Sequence, residues 1–247
     1  MLLADHGADV IKVERPDGGD DARNMPPFIG GEGVPFMIWN RNKRSVVLDL
    51  KSEAGTAALL QLVDGADILI ENFRPDTLGR LGMPWPTLAA RNPRLIYGAI
   101  SGFGQTGPYR ERGGFDLITQ GMSGLMAGCG PRDGPPHRLP IAISDIAAGM
   151  HLAIGILSAL GARHRTGRGQ MVETSLFESA LSLGVYEAAH VDLAQHANRA
   201  GTRERRLDPV RGRGMRWPST APTHPARTRT GAARPRGLAV HDSTGQS

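Results

Sequence analysis

This sequence is poor in the residues that cross-link or react. A single cysteine, Cys129, excludes an internal disulfide framework, and its flanks Gly128 and Gly130 read as a loop carrying a bystander thiol. Lysine is confined to Lys12, Lys43 and Lys51, so almost all cationic chemistry falls to arginine. The eight histidines show no metal-ligand spacing, and no metal site is expected. No uninterrupted run of about 18 apolar residues occurs, so no membrane span and no membrane partner are expected. Met1-Leu-Leu-Ala turns at once to Asp5 and His6, which does not suit a secretory signal and leads to the expectation of a cytoplasmic protein. No internal repeat is visible.

Charge is unevenly divided. The chain has 29 basic and 24 acidic residues, but residues 199–247 hold 11 arginines, no lysine and only Glu204, Asp208 and Asp242 as acids. Residues 1–198 therefore carry −3 and the tail +8, so the isoelectric point near 10.0 belongs to the tail. An Arg- and Pro-rich tail can neutralise phosphates. Here, however, the arginines follow no helical period, and Trp217 is the only aromatic available for stacking. No nucleic-acid partner is expected. A composition of Arg, Pro, Ala, Gly and Thr without periodicity matches a GC-rich gene read out of frame, and residues 191–247 are expected to form a disordered tail.

The body, residues 1–190, alternates between two periods. Val10–Glu14, Ser45–Leu50, Asp67–Glu71, Arg94–Ser101 and Gln170–Ser175 read as strands. Helical stretches separate them: Glu53–Val63 capped by Ser52, a turn at Trp85–Ala90, a long helix from Ile146, and Leu176–His190. This alternation predicts an α/β fold with a doubly wound, mostly parallel sheet, whose ligands gather at the carboxyl ends of the strands. Arg15, Asn72 and Ser101 lie at or just past such ends. Gly102-x-Gly104-x-x-Gly107 matches a dinucleotide fingerprint, but Pro108, Tyr109 and Arg110 follow it where a helix should open.

From Ile146 to Ala162 only His151 and Ser158 are polar, which predicts a mostly buried helix rather than one lying on the surface, with Ser144 or Asp145 as N-cap and Gly167 past its C-terminus. Pattern alone leaves Asp145 open to two roles, a helix cap or a carboxylate nucleophile. His151 reads as a satisfied core histidine. Asp116 reads as a helix cap ahead of Leu117-Ile-Thr-Gln120.

Five ordered blocks carry a resemblance: Leu3-Ala-Asp-His-Gly-Ala-Asp-Val-Ile-Lys-Val-Glu-Arg15, Asn40 to Lys51, Glu71-Asn-Phe-Arg-Pro75, Ser101 to Pro108 running into Gly114-Phe-Asp116, and Asp145 to Gln170. In these the chain resembles the family III CoA-transferases, of the formyl-CoA and carnitine CoA-transferase type, over about residues 1–190. The resemblance implies a Rossmann-like large domain, Asp145 as nucleophile, and coenzyme A contacts at Arg15, Leu48, Lys51, Asn72, Phe73 and Arg80. Read without it, Lys51 suits a solvated charge, Phe73 a core position and Asn72 a turn, while Leu48 offers little beyond its backbone. The resemblance also implies acyl-CoA and carboxylate substrates, no permanently bound cofactor, and exchange through an aspartyl anhydride and an aspartyl-CoA thioester. Members form interlaced homodimers. They also open with a strand that this chain lacks before Leu3, and they continue into a second domain not recognisable after His190. The chain is thus expected to be incomplete and not to form the full dimer. Two further readings stand beside transfer: an inactive remnant, and an α-methylacyl-CoA racemase, which would place a histidine within Gly114-Phe115-Asp116.

Overall fold

The computed structural model describes residues 1–129, 135–189 and 236–240. The chain divides into two units, Met1–Gly184 with Arg234–Ser247, and Val185–Ala233. In the second unit the described residues, 185–189, are helical.

The first unit is built on a parallel sheet. Its strands are β1 (Asp9–Glu14), β4 (Lys43–Val47), β5 (Ile68–Glu71), β6 (Ile96–Ser101), β7 (Met171–Ser175) and β8 (Arg236–Val240), in the order β4-β1-β8-β5-β6-β7. A small antiparallel pair, β2 (Phe28–Ile29) and β3 (Glu32–Gly33), stands apart. The helices are α1 (Leu2–Asp5), α2 (Val34–Asn40), α3 (Glu53–Asp64), α4 (Thr77–Arg80), α5 (Trp85–Arg91), α6 (Asp116–Met122), α7 (Ile143–Thr166) and α8 (Leu176–Leu183).

Side chains alternate across the strands and feed two cores. Leu69, Tyr97, Ala99 and Leu238 pack with Leu59 and Val63 of α3, Leu78 of α4 and Leu88 of α5. Ile68 and Ile96 face the other way, onto Leu152, Ile156 and Ala159 of α7. The result is the expected doubly wound α/β arrangement, with helices on both faces of a parallel sheet. Local chemistry sets several boundaries. The Ser52 hydroxyl accepts the Gly55 N–H at the start of α3 (3.0 Å). Ser175 and Glu178 form a capping box at α8, the Ser175 hydroxyl accepting the Glu178 N–H (3.1 Å) and donating to its carboxylate (3.0 Å). Gly167, at φ +71°, ends α7 in the left-handed conformation, as anticipated.

Four expectations are corrected. β4 covers Lys43–Val47 rather than Ser45–Leu50, because the chain turns at Asp49, whose carbonyl accepts the Ser52 N–H (3.0 Å). α7 starts at Ile143, and neither Ser144 nor Asp145 caps it. Nor is α7 mostly buried: Ala147, Ala148, Leu152, Ile156 and Ala159 are buried against the sheet, while Ile146, Met150, Ile154 and Leu157 are about half exposed along the opposite face. An apolar sequence reports what a helix tolerates on each face, not what covers it. Finally, the tail is not structureless throughout. Arg236–Val240 forms β8, paired in parallel with β1 on one side and β5 on the other. The rest of the 191–247 segment lies outside the described residues.

α7 is long and apolar enough to cross a membrane by length and composition, the one such helix among the described residues. Its contacts are those of a sheet-covering helix, and glycine makes its approach close. A Cβ on Gly155 would lie 2.6 Å from Val172 Cγ1, whereas one on Gly161 would meet nothing within 4 Å. Gly155→Ala is therefore expected to destabilise the unit by about 1–3 kcal/mol through overpacking. Gly161→Ala should stabilise it by roughly 0.5–1 kcal/mol through helix propensity. Paired denaturant titrations measure both; equal effects would refute the close approach.

Candidate active site

The winding places a crevice at one edge of the sheet. The chain runs outward from β1 to β4, crosses over by α3, and continues outward again from β5 to β6 and β7. The direction reverses around β8, and ligands of open α/β sheets sit beyond the carboxyl ends at such a reversal. Arg15 follows β1, and Asn72 and Phe73 follow β5, so these two loops flank the reversal.

A buried ionic network holds the loop after β1. Lys12 pairs with Asp20 at 2.6 Å, both side chains almost fully enclosed. Glu14, also buried, accepts from Arg23 Nε and Nη2 (both 3.0 Å), from the Ser45 hydroxyl (2.6 Å) and from the Asp20 N–H (3.0 Å). Burial alone would raise the Glu14 pKa, but these donors outweigh it and hold it at about 2. Arg15 then emerges exposed, its guanidinium donating to the Asp17 carbonyl and pairing with Asp21.

An open groove of about 420 Å³ lies between the start of α3 and the end of α4. Lys51 and Arg80 both line it, together with Leu50, Ser52, Thr56 and Leu60. Both cations are exposed, and Arg80 holds the Thr77 hydroxyl at 2.9 Å. Leu48 is half-buried against the core, and its N–H is already given to the Glu14 carbonyl (2.9 Å). Asn72 is exposed. Phe73, by contrast, is buried in the larger core, and its N–H donates to Glu71 Oε2 (2.6 Å). A second cleft, of about 220 Å³, lies past β5 and is lined by Glu71, Arg74, Trp85, Tyr97, Gln105 and Arg110. The Tyr97 hydroxyl donates to Glu71 Oε1 (3.0 Å), and burial with the nearby Glu71 charge pushes the Tyr97 pKa upward.

Asp145 lines neither cleft. It sits in the first turn of α7, the helix that runs back along the sheet into β7. α7 is pinned at the other edge, where Arg163 Nη2 pairs with Asp67 Oδ1 (2.8 Å) and Nη1 with the Arg94 carbonyl (2.9 Å). At about 1.5 Å per residue the helix from Arg163 back to Asp145 spans roughly 27 Å, longer than a six-residue strand of about 20 Å, so Asp145 stands beyond the carboxyl ends. It is exposed at the surface. Even so, its carboxyl loses much of its hydration to surrounding protein, and with Asp116 adding like charge, its pKa rises to about 6. This rise runs against the helix N-terminus, which favours the charged form.

Asp116 has a role that pattern reading missed. Its Oδ1 accepts the Ser144 N–H (2.8 Å), so this carboxylate, contributed by α6, takes up a free donor of the α7 N-terminus. Gln120, fully buried, was not singled out from sequence. Its amide donates to Asp116 Oδ2 (2.7 Å) and to the Ile141 carbonyl (3.1 Å), and its oxygen accepts the Leu139 N–H (2.9 Å), fixing the approach to α7. The i, i+4 spacing of Asp116 and Gln120 was the available signal. His151 is half-buried and bonded to the Ser179 hydroxyl (3.1 Å), as a structural histidine would be. The glycine-rich run after β6 makes turns, with Gly104 and Gly107 at positive φ and no helix before Asp116.

Comparison with known proteins gives this geometry its family. The sequence profile of CoA-transferase family III matches residues 1–212. An acetyl-CoA:oxalate CoA-transferase of Acetobacter aceti is 46% identical over 182 residues, which is 73% of this chain and 47% of that protein. A succinate–glutarate CoA-transferase of Agrobacterium fabrum is 46% identical over 185 residues, 72% of this chain and 46% of that protein. The crystal structure of a CaiB/BaiF family protein from Brucella suis superposes with a TM-score of 0.72 at 40% identity, covering 81% of this chain and 52% of that one. The chain thus spans about half the length of the curated relatives it matches, and it belongs to CoA-transferase family III.

Proposed function

We propose that this chain carries the nucleophile and much of the coenzyme A surface of an enzyme that moves CoA between an acyl-CoA thioester and a carboxylic acid. The observation that carries the reading is Asp145. It is a carboxylate beyond the strand ends with a pKa raised to about 6, in a chain of this family. Arg15, Lys51 and Arg80 supply cations for the phosphates, with Leu48, Asn72 and Phe73 the further contacts that the family resemblance implies. CoA is an extended molecule, so a groove for its nucleotide set apart from the nucleophile is what its length requires.

In the proposed cycle Asp145 attacks the donor thioester carbonyl; the C–S bond breaks, leaving a mixed anhydride and CoA thiolate. The thiolate attacks the aspartyl carbonyl and expels the donor carboxylate, leaving an aspartyl-CoA thioester. The acceptor carboxylate attacks that thioester and frees the thiolate. Attack of the thiolate on the acceptor's acyl carbon then forms the new acyl-CoA and restores Asp145. No step needs a net proton or a bound metal or cofactor. Each intermediate is vulnerable to water, so exclusion of water is part of the catalysis.

Incubation with an acyl-CoA followed by hydroxylamine should modify Asp145 alone, read by peptide mass spectrometry, and Asp145→Asn should abolish the modification. Labelling of the variant at wild-type level would refute the nucleophile. Because the carboxylate form reacts, adduct formation should fall as pH drops through about 6. Asp116→Asn removes the adjacent charge, so it should lower the Asp145 pKa and move that limb to lower pH. An unmoved limb would contradict the coupling.

A second reading, a chain that binds but does not turn over, is favoured by a specific observation. Ile146, Met150, Ile154 and Leu157 of α7 and Leu117, Ile118 and Met122 of α6 are exposed beside the nucleophile. We infer that the remainder of a longer family protein, or its second protomer, covers this face and keeps water from Asp145. The chain as given is expected to form few or no new thioesters when offered acyl-CoA donors with carboxylate acceptors. Transfer at about 1 per second or faster, an ordinary enzymatic rate, would show that no further cover is needed.

A further inference from the structure

The sheet is two sets of strands joined through one inserted member. β1 bonds to β4, β5 bonds to β6, and β8 alone bridges β1 to β5. Both of its ladders are parallel, running from Asp9↔Arg236 to Val13↔Val240 on one side and from Ile68↔Gly237 to Glu71↔Val240 on the other. Leu238 is 2% exposed, inside the larger core. Asp67 clasps the start of the strand: its N–H donates to the Arg236 carbonyl (2.8 Å) and its Oδ2 accepts the Arg236 N–H (2.8 Å). The whole unit Val185–Ala233 separates β8 in sequence from the elements it joins. The forces holding β8 are thus those of peptide capture by strand addition, with main-chain bonds for affinity and one buried side chain for register.

We propose that the gap between β1 and β5 is a strand-binding site whose ligand is the segment Arg236–Val240, so that these five residues, supplied within a separate polypeptide, occupy it in parallel with both strands. The ligand it selects is an extended peptide with one leucine among small residues, here Gly237-Leu238-Ala239. In the intact chain the tether holds the segment at high effective concentration and keeps the gap filled. The proposal is independent of any transferase activity.

The test titrates a fluorescein-labelled peptide of residues 234–247 against the full chain and against its Leu238→Asp variant, which disfavours the tethered strand. Saturable binding to the variant is expected, with affinity for the unaltered chain about tenfold or more weaker because its gap is taken. A Leu238→Asp peptide should bind neither. Equal binding to both chains, or none to a variant that keeps its helical circular dichroism, overturns the proposal. Should the variant lose its fold, the unaltered protein decides. With a specific protease site placed between residues 215 and 225 and then cleaved, the C-terminal piece should co-elute with the body in gel filtration and part from it only in denaturant. Free separation in native buffer overturns the proposal.

Discussion

The buried pairing of Arg163 with Asp67 is the constraint on which the rest of the structure turns. One guanidinium at the end of α7 holds the Asp67 carboxylate and the main-chain carbonyls of Asp67 and Arg94, at the points where β5 and β6 begin. The second oxygen of the same carboxylate fixes the first residue of β8. A helix, the central strand and two neighbouring strands therefore share one node at the amino edge of the sheet. With that end fixed and the helix rigid, the position of Asp145 at the opposite edge follows from length alone. Removing the Asp67 carboxylate would leave the buried Arg163 guanidinium without its ion partner, and would loosen the placement of Asp145 from the far end of the helix.

The carboxyl edge is organised on a different plan. There the charges are graded by enclosure: Lys12, Asp20 and Glu14 are sealed and mutually satisfied, whereas Arg15, Lys51 and Arg80 reach solvent. The sealed set determines where the loop after β1 runs, and the open set is the one proposed to meet the anionic parts of coenzyme A. Asp116 stands between these roles. Its carboxylate stabilises the start of α7 through the Ser144 N–H, and the same charge disfavours ionisation of Asp145 one residue later.

Much of this was legible in the sequence because it rests on local rules. The strand at β5, the Ser52 cap, the Gly167 stop and the carboxylate at the head of an apolar helix each follow from short-range pattern. What escaped depends on partners distant in sequence. The strand β8 is five residues, Arg236–Val240, in an Arg- and Pro-rich tail, and nothing in their pattern marks a strand until β1 and β5 are seen on either side of it. The half-exposure of α7 escaped for the opposite reason, since Ile146, Met150, Ile154 and Leu157 look no different from their buried neighbours until the sheet claims one face. Gln120 was missed because, apart from its i, i+4 spacing from Asp116, a glutamine in a short helix carries no mark of the three groups it ties together. The coenzyme A contacts proposed for Lys51, Asn72 and Arg80 came from resemblance, and the structure adds that Lys51 and Arg80 share one groove.

The scarcity of lysine also has a consequence for how the molecule meets electrophiles. Lys12 is locked in its ion pair, and Lys43 donates to Asn40 Oδ1 (2.8 Å) and is enclosed enough to lower its pKa. Only Lys51 presents a side-chain amine openly, and every other exposed cation is a guanidinium that does not shed its proton in water. A surface built this way offers electrophiles two amines in the chain as given: Lys51, and the Met1 α-amino group, whose pKa burial lowers to about 6. Amine-directed dyes and cross-linkers will report chiefly on those two positions, the first of them at the groove between α3 and α4.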